Sequence, residues 1–412
     1  MNNQKSWNRH PAGEFLNTLR QSQFLWVILK SALIGLIFIK SFQFSYNDFF
    51  NKQHTLTDFD TFHIAGTFAL KGKLAEAYHA NLMRQAQIEW AHEDTFMPWT
   101  YPLPFNLLTS LLALLPIGPA YLLFSGFSLL SLLGVLRRLT GELFRPCVFL
   151  IIPALLVNLN CGQNGLMTAA LMGVFCYGYL RGDTRSGIPL GMMIIKPHLA
   201  AGILVHLILR KEWRILVTAG TTSLALLALA TGVFGPMVWQ DYFISIREAS
   251  HFLHEGFYPM HRMTSAFSAL LTLSGNFEWA RIAQFNSILV AIGVQAWTIR
   301  QNIAPRNALG ISCIASSLYS PYFYDYDLTI LSLGVGLLLH SLENQLSRLQ
   351  WFLFTLALIL TQSGWLPLVI EQMLGRASDE PGKLSLSFFF LLPILWIAIE
   401  SAKKDRSLPQ TP

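Results

Sequence analysis

Long apolar runs restrict this chain more than any other feature of its sequence. Phe24 to Phe44, Leu103 to Leu136, Gly187 to Leu209 and Ile215 to Phe234 approach or exceed the roughly 20 residues that a helix needs to cross the hydrocarbon core of a bilayer. In lipid every backbone N–H and C=O must be satisfied internally, which leaves helices and closed barrels. These runs lack the alternation of a barrel strand, so the expected fold is an all-α polytopic membrane protein. With 53% hydrophobic and 13% charged residues over 412 positions, and a mean hydropathy of +0.43, the chain has too little polar surface to coat a soluble globule.

The net charge of +6 is spread in short Lys and Arg clusters at the ends of apolar runs, which is the flanking charge of membrane helices and not a basic groove for nucleic acid. Lys5, Arg9 and Arg20 precede the first run, and no A-x-A-like cleavage site follows it. Lys403, Lys404 and Arg406 follow the last run. The expected organisation is a single membrane domain over 24–400 between cytoplasmic tails 1–23 and 401–412, in the inner or plasma membrane.

Shorter runs complete the series: Leu103 to Leu115, Pro119 to Leu136, Pro146 to Val157, Gly165 to Leu180, Ile188 to Leu209, and five more beyond Asn286. Counting each as one crossing gives about twelve helices with both termini inside. That count strands Arg137 with Arg138, and Arg181 with Arg185, on the outer side against the usual charge bias. One or two middle segments are therefore expected to be re-entrant or half-length. Cys147, Cys161, Cys176 and Cys313 have no C-x-x-C spacing and are read as buried structural thiols.

Two polar intervals, 45–100 and 235–285, are expected outside the cytoplasm. In the first, Thr57 is an N-cap candidate ahead of Phe62, Ala65 and Ala69 at helical spacing, which predicts an amphipathic helix on the membrane surface; Leu82 to Trp90 predicts a second. On such a helix Asp58 shares the apolar face and turns toward the bundle, whereas Asp60, His63 and Thr67 turn toward solvent. Asp58 is then either a helix cap or a general base favoured as an anion by the helix N-terminus.

Four further constellations carry polar chemistry. Gln163 and Asn164 lie in a Gly-flanked turn between apolar runs, where they either shape the turn or hydrogen-bond a sugar or phosphate. Lys196, followed by Pro197 and His198, stands inside an apolar run at a cost of about 2.5 to 3.5 kcal/mol, which suits a cation aimed at a phosphate. Asp325 and Asp327 lie among tyrosines, Tyr324 included, and either line a polar site or hold a basic partner. His261 and Arg262 are placed to bind a phosphate or simply sit in an exposed loop. No nucleotide-binding loop, zinc-protease helix or nucleophile elbow is present, and neither a cofactor nor a metal is expected.

In order along the chain, Asp58, Phe59, Phe62, Ala65 and Gly66; Gly72, Leu74 and Tyr78; Tyr101-Pro102-Leu103-Pro104; Gly162-Gln163-Asn164; Lys196-Pro197-His198; and Ser320 to Leu328 resemble glycosyltransferase family 87, polyprenyl-phosphate-mannose-dependent membrane mannosyltransferases of the GT-C superfamily. The resemblance spans about residues 57 to 340. It implies a GT-C fold, a hexose donor, mannose in the family, carried on polyprenyl phosphate, and a glycolipid, glycan or protein acceptor. It further implies an essential aspartate in the first outer loop, which maps onto Asp58 with Asp60 as the second choice. The chemistry implied is inverting displacement on the extracytoplasmic side, with Lys196, His261 and Arg262 on the phosphate and Gln163, Asn164, Tyr324, Asp325 and Asp327 as further substrate-binding candidates. The chain departs from the family in having Phe62 where a tyrosine is common and Leu103 within what is often a Pro-Pro pair.

Two rivals share the hydropathy. A lipid-linked-sugar flippase or small-solute transporter needs no acidic helix in the first outer loop. A non-catalytic scaffold has no use for Lys196 or the Asp325 and Asp327 pair inside apolar surroundings.

Overall fold

A computed structural model describes residues 11–94, 96–365 and 384–406. Lys5 and Arg9 of the expected N-terminal tail, and residues 407–412 of the C-terminal one, lie outside them. Among the described residues the architecture is a helical bundle: α1 (Pro11–Gln21), α2 (Gln23–Phe50), α3 (Asp58–Leu70), α4 (Leu74–Ala77), α5 (Ala80–Ala91), α6 (Leu103–Leu112), α7 (Ile117–Thr140), α8 (Phe144–Leu150), α9 (Ile152–Cys161) and α10 (Gly165–Leu180). These are followed by α11 (Gly187–Met192), α12 (Ala201–Arg210), α13 (Trp213–Phe234), α14 (Val238–His254), α15 (Ala266–Ser274), α16 (Phe277–Arg300), α17 (Pro305–Ala315), α18 (Leu331–Gln345), α19 (Arg348–Leu360) and α20 (Ser387–Arg406).

Among the described residues four stretches are long and apolar enough to span a membrane, Gln23–Phe50, Ile117–Leu150, Trp213–Phe234 and Phe277–Arg300. At 1.5 Å per residue, α7 alone is about 36 Å long and exceeds the hydrocarbon core. The α8–α9 pair makes one broken rod, interrupted at Ile151 with Pro153 opening its second half.

Two of the expected crossings do not traverse the bundle. The helix α6 is about 15 Å long, half the core. It lies beside α3, where a Cβ on Gly66 would stand 2.1 Å from the Thr109 carbonyl oxygen, and the chain that leaves it meets the later turns of α2 at the start of α7, where Gly118 abuts Ser45 and Ser41.

The second is the Ile188 to Leu209 run. It folds as a hairpin, with α11 rising and α12 descending around Lys196, whose φ of −150° and ψ of 67° break the helix. Both feet stand at one end, because Thr184 and Arg210 line the same surface cleft with Ile215 and Pro305. Gly187 and Gly191 seat α11 on the backbone of α13, and Ser223 donates to the Gly191 carbonyl at 2.9 Å.

Two of the arginines that the simple count stranded, Arg138 and Arg181, come together with others of the bundle. Arg145 donates to the Arg20 carbonyl at 3.0 Å, Arg306 donates to the carbonyls of Leu139 and Leu337, and Arg138 and Arg181 flank the Tyr177 ring. Lys403 lies against Trp297, and Asp405 accepts from Asn307. They gather at one basic end, away from α3.

The first polar interval is compact. Thr57 and Asp60 form a capping box at the start of α3, in which every residue from Phe59 to Gly66 is buried. Asp60 and His63, expected toward water, are 1% and 8% exposed. The reason is α5, which covers their face: Trp90 Nε1 donates to Asp60 at 3.0 Å and the Trp90 ring lies over His63. The helix is therefore sandwiched, with Phe62 edge-on to Trp99, Tyr101, Phe105 and Phe124 on its other side. All four cysteines are buried and free.

Candidate active site

Six separate segments meet at a cavity of about 400 Å³: the start of α3, the extended segment ahead of α6, the α9–α10 turn, the apex of the α11–α12 hairpin, the turn before α15, and the segment ahead of α18. The helix α14 closes the remaining side with Tyr242, Ile246 and Ala249, one face at helical spacing.

Asp58 reaches the wall because Gly162 adopts φ +67° where any Cβ would lie 2.5 Å from that of Phe59. This close approach brings Gln163 to Asp58, and Gln163 Nε2 donates to Asp58 Oδ1 at 2.6 Å. Gln163 Oε1 in turn accepts from the Tyr101 hydroxyl at 2.7 Å and the Asn164 N–H at 2.9 Å.

The extended segment carrying Tyr101 is fastened from two sides. Gln87 exchanges two hydrogen bonds with the Met97 backbone, and the Tyr78 hydroxyl donates to the Tyr101 carbonyl at 2.8 Å. Pro98 and Pro102 keep this segment out of helix until α6 begins, and Pro104 stands in the first turn of that helix, where no N–H partner is needed.

Burial pushes the Asp58 carboxyl up to about 6, against the opposing pull of Arg262, Lys196 and the Gln163 hydrogen bond. Asp60 is engaged differently. Its carboxylate accepts from Thr57 N–H, Thr57 hydroxyl and Trp90, and it does not line the cavity.

Lys196 and Arg262 both line the cavity, and each is held by its own acid. Lys196 Nζ lies 2.6 Å from Asp327, and the Arg262 guanidinium forks onto Asp325 with two bonds of 2.9 Å. Both cations rest on the Tyr326 ring, at 4.8 and 5.6 Å from its centroid, and Tyr326 stacks on Tyr324. The pairing has a local cause: Met263 and Tyr324 form an isolated antiparallel bridge, which sets Arg262 beside Asp325.

Of the sequence candidates, Asp58, Gln163, Lys196, Arg262 and Tyr324 thus share one cavity. Asp325 and Asp327 are fully buried behind the cations and hold basic partners without lining the wall. Asn164 is buried beneath Gln163, and His261 neighbours Arg262 off the wall. Phe62 is also away from the cavity.

Sequence reasoning missed Tyr101, His198, Tyr326 and α14 as wall elements. Tyr101 and His198 stood inside recognised motifs, and the spacing of Tyr242, Ile246 and Ala249 carried the signal for α14. Among the described residues no group of three or more His, Cys, Asp or Glu is placed to hold a metal ion. The site offers an acid joined to a neutral amide, opposite two cations on an aromatic floor.

The family model of glycosyltransferase family 87 matches residues 99–321. That stretch includes Tyr101, Gln163, Lys196 and Arg262, whereas Asp58, Asp325 and Asp327 lie outside it. No curated protein and no solved structure matches the chain.

Proposed function

The chain belongs to glycosyltransferase family 87 and is a membrane glycosyltransferase; on that premise we propose that it moves a hexose from a polyprenyl-phosphate donor to an acceptor hydroxyl, with Asp58 as general base. The observation that carries this reading is the shared cavity. One carboxylate with a pKa near 6 faces two cations already fixed by counter-ions.

In the proposed step the acceptor oxygen attacks C1 of the donor sugar as the C1–O bond to phosphate breaks. The bonding pair leaves on the phosphate oxygen, the acceptor proton passes to Asp58, and inversion follows from attack opposite the leaving group. Lys196 and Arg262 stabilise the phosphate monoester that departs, in a site where Tyr324 and Tyr326 exclude water. A hexose, mannose by family resemblance, stacks on these rings. The acceptor is a glycolipid, glycan or protein.

The positive-inside rule supports an orientation in the inner or plasma membrane with the basic end in the cytoplasm and the cavity on the extracytoplasmic side. A donor whose lipid stays in the bilayer then needs no soluble nucleotide-binding domain.

The test uses the full chain in proteoliposomes, a labelled polyprenyl-phosphate hexose, and a membrane extract from a deletion strain as the source of acceptor. Asp58→Asn should lower transfer by about 10²- to 10⁴-fold while the protein stays folded. Transfer at the wild-type rate would falsify the base assignment, and a carrier of lipid-linked sugars would keep its flux in this variant.

A further inference from the structure

The direct partner of the Asp58 carboxylate is an amide, although two cations stand close by. Lys196 and Arg262 are drawn off by Asp327 and Asp325, and the 2.6 Å bond to Asp58 Oδ1 comes from Gln163. The orientation of that amide is fixed from behind. Its oxygen accepts from the Tyr101 hydroxyl and the Asn164 N–H, so its NH₂ must face Asp58, which as a carboxylate only accepts.

We propose that Gln163 is a positioning residue for the transfer reaction, tying up Oδ1 of Asp58 and leaving Oδ2 as the atom that takes the acceptor proton. This rests on Asp58 being the base. Tyr101 is the anchor of the device, because without its hydroxyl the Gln163 amide loses one of the two donors that prevent it from rotating.

The choice of a neutral donor has a chemical consequence. A cation bonded directly to Asp58 would hold it ionised and make it a poor proton acceptor, whereas an amide favours the anion only moderately. The other groups facing Asp58 are Arg262 from the turn before α15, Lys196 from the hairpin apex, Asp325 from the segment ahead of α18, and the hydroxyls of Tyr101, Tyr324 and Tyr326. Cys161 lies on the same turn as Gln163 and also senses Asp58. None of these is removed in the variants below except the Tyr101 hydroxyl.

The sign of the pH effect follows. The Gln163 hydrogen bond favours the ionised form, so losing it raises the pKa of Asp58 and moves the rising limb of kcat/KM to higher pH. Full-length wild type, Gln163→Leu and Tyr101→Phe are compared in the same proteoliposome assay between pH 4.5 and 9. The limb, near pH 6 in wild type, should move up by about one pH unit in Gln163→Leu, and by less in the same direction in Tyr101→Phe.

A merely structural role for Gln163 predicts a lower plateau with an unmoved limb, and that result overturns the proposal. Should Gln163→Leu fail to fold, the near-isosteric Tyr101→Phe decides alone, and an unmoved limb there is equally fatal. An active Asp58→Asn enzyme would instead remove the premise, whatever the Gln163 variants do.

Discussion

Asp58 and Asp60 are two residues apart and have opposite duties. Asp60 is a structural acid: the Thr57 N–H and hydroxyl, Trp90 Nε1 and, at 3.4 Å, His54 Nε2 converge on it, and losing it leaves Trp90 and the Thr57 cap without an acceptor. Asp58 is an acid whose ionisation works against folding. Its folded pKa of about 6 lies above the ordinary 3.8, so the unfolded chain releases this proton first and stability falls as pH rises between those values. The two asparagine variants should therefore part in a thermal melt at pH 7. Asp60→Ala is expected to cost about 1 to 3 kcal/mol, with Asp60→Asn in the same direction. Asp58→Asn should melt higher than wild type above pH 6 and converge with it below about pH 4. If Asp58→Asn destabilises at pH 7, the buried-acid picture of the site fails.

At the scale of elements, the α11–α12 hairpin decides where Lys196 goes. Lys196 is carried to the cavity on a hairpin whose α11 arm rests on α13 through Gly187 and Gly191, and a Cβ on Gly191 would lie 2.4 Å from the Ala219 carbonyl oxygen. Gly191→Ala should thus shift the arm, lower transfer at least ten-fold and cost about 1 to 3 kcal/mol. Gly220→Ala, on α13 with no heavy atom within 4 Å of the added methyl, is the control and should be near neutral. Equal effects of the two would show that the hairpin seat is not what places Lys196.

The same elements show what a sequence can and cannot reveal. Apolar runs and caps located the helices, and the stranded Arg137, Arg138, Arg181 and Arg185 already signalled that some middle run turns back. Periodicity placed Asp58 toward the bundle correctly. It misplaced Asp60, because the polar stripe of α3 looks the same whether water or a matched polar cover lies against it, and here α5 supplies Trp90 as the cover. The Lys196–Asp327 and Arg262–Asp325 pairs join residues 131 and 63 positions apart, and no local pattern encodes such a pairing.

For the whole molecule, the separation of the basic end from the cavity makes orientation measurable. Because the native cysteines are buried, introduced ones can be read singly. Asn51→Cys, at the exposed end of α2 beside the first polar interval, should react with an impermeant maleimide in intact cells. Arg185→Cys, exposed at the foot of the hairpin, should react only after permeabilisation. The reverse labelling would put the cavity on the cytoplasmic side and remove the lipid-donor geometry proposed above.

The ion pairs also limit how this protein can be recombined with its relatives. The family-matched stretch ends at residue 321, between each cation and its acid: Lys196 and Arg262 lie before that boundary, Asp327 and Asp325 after it. A chimera cut there inherits the two cavity cations from one parent and must find their counter-ions in the other. Exchange of the matched segment alone is therefore not modular, and a junction beyond Ile330 would keep both pairs within one parent.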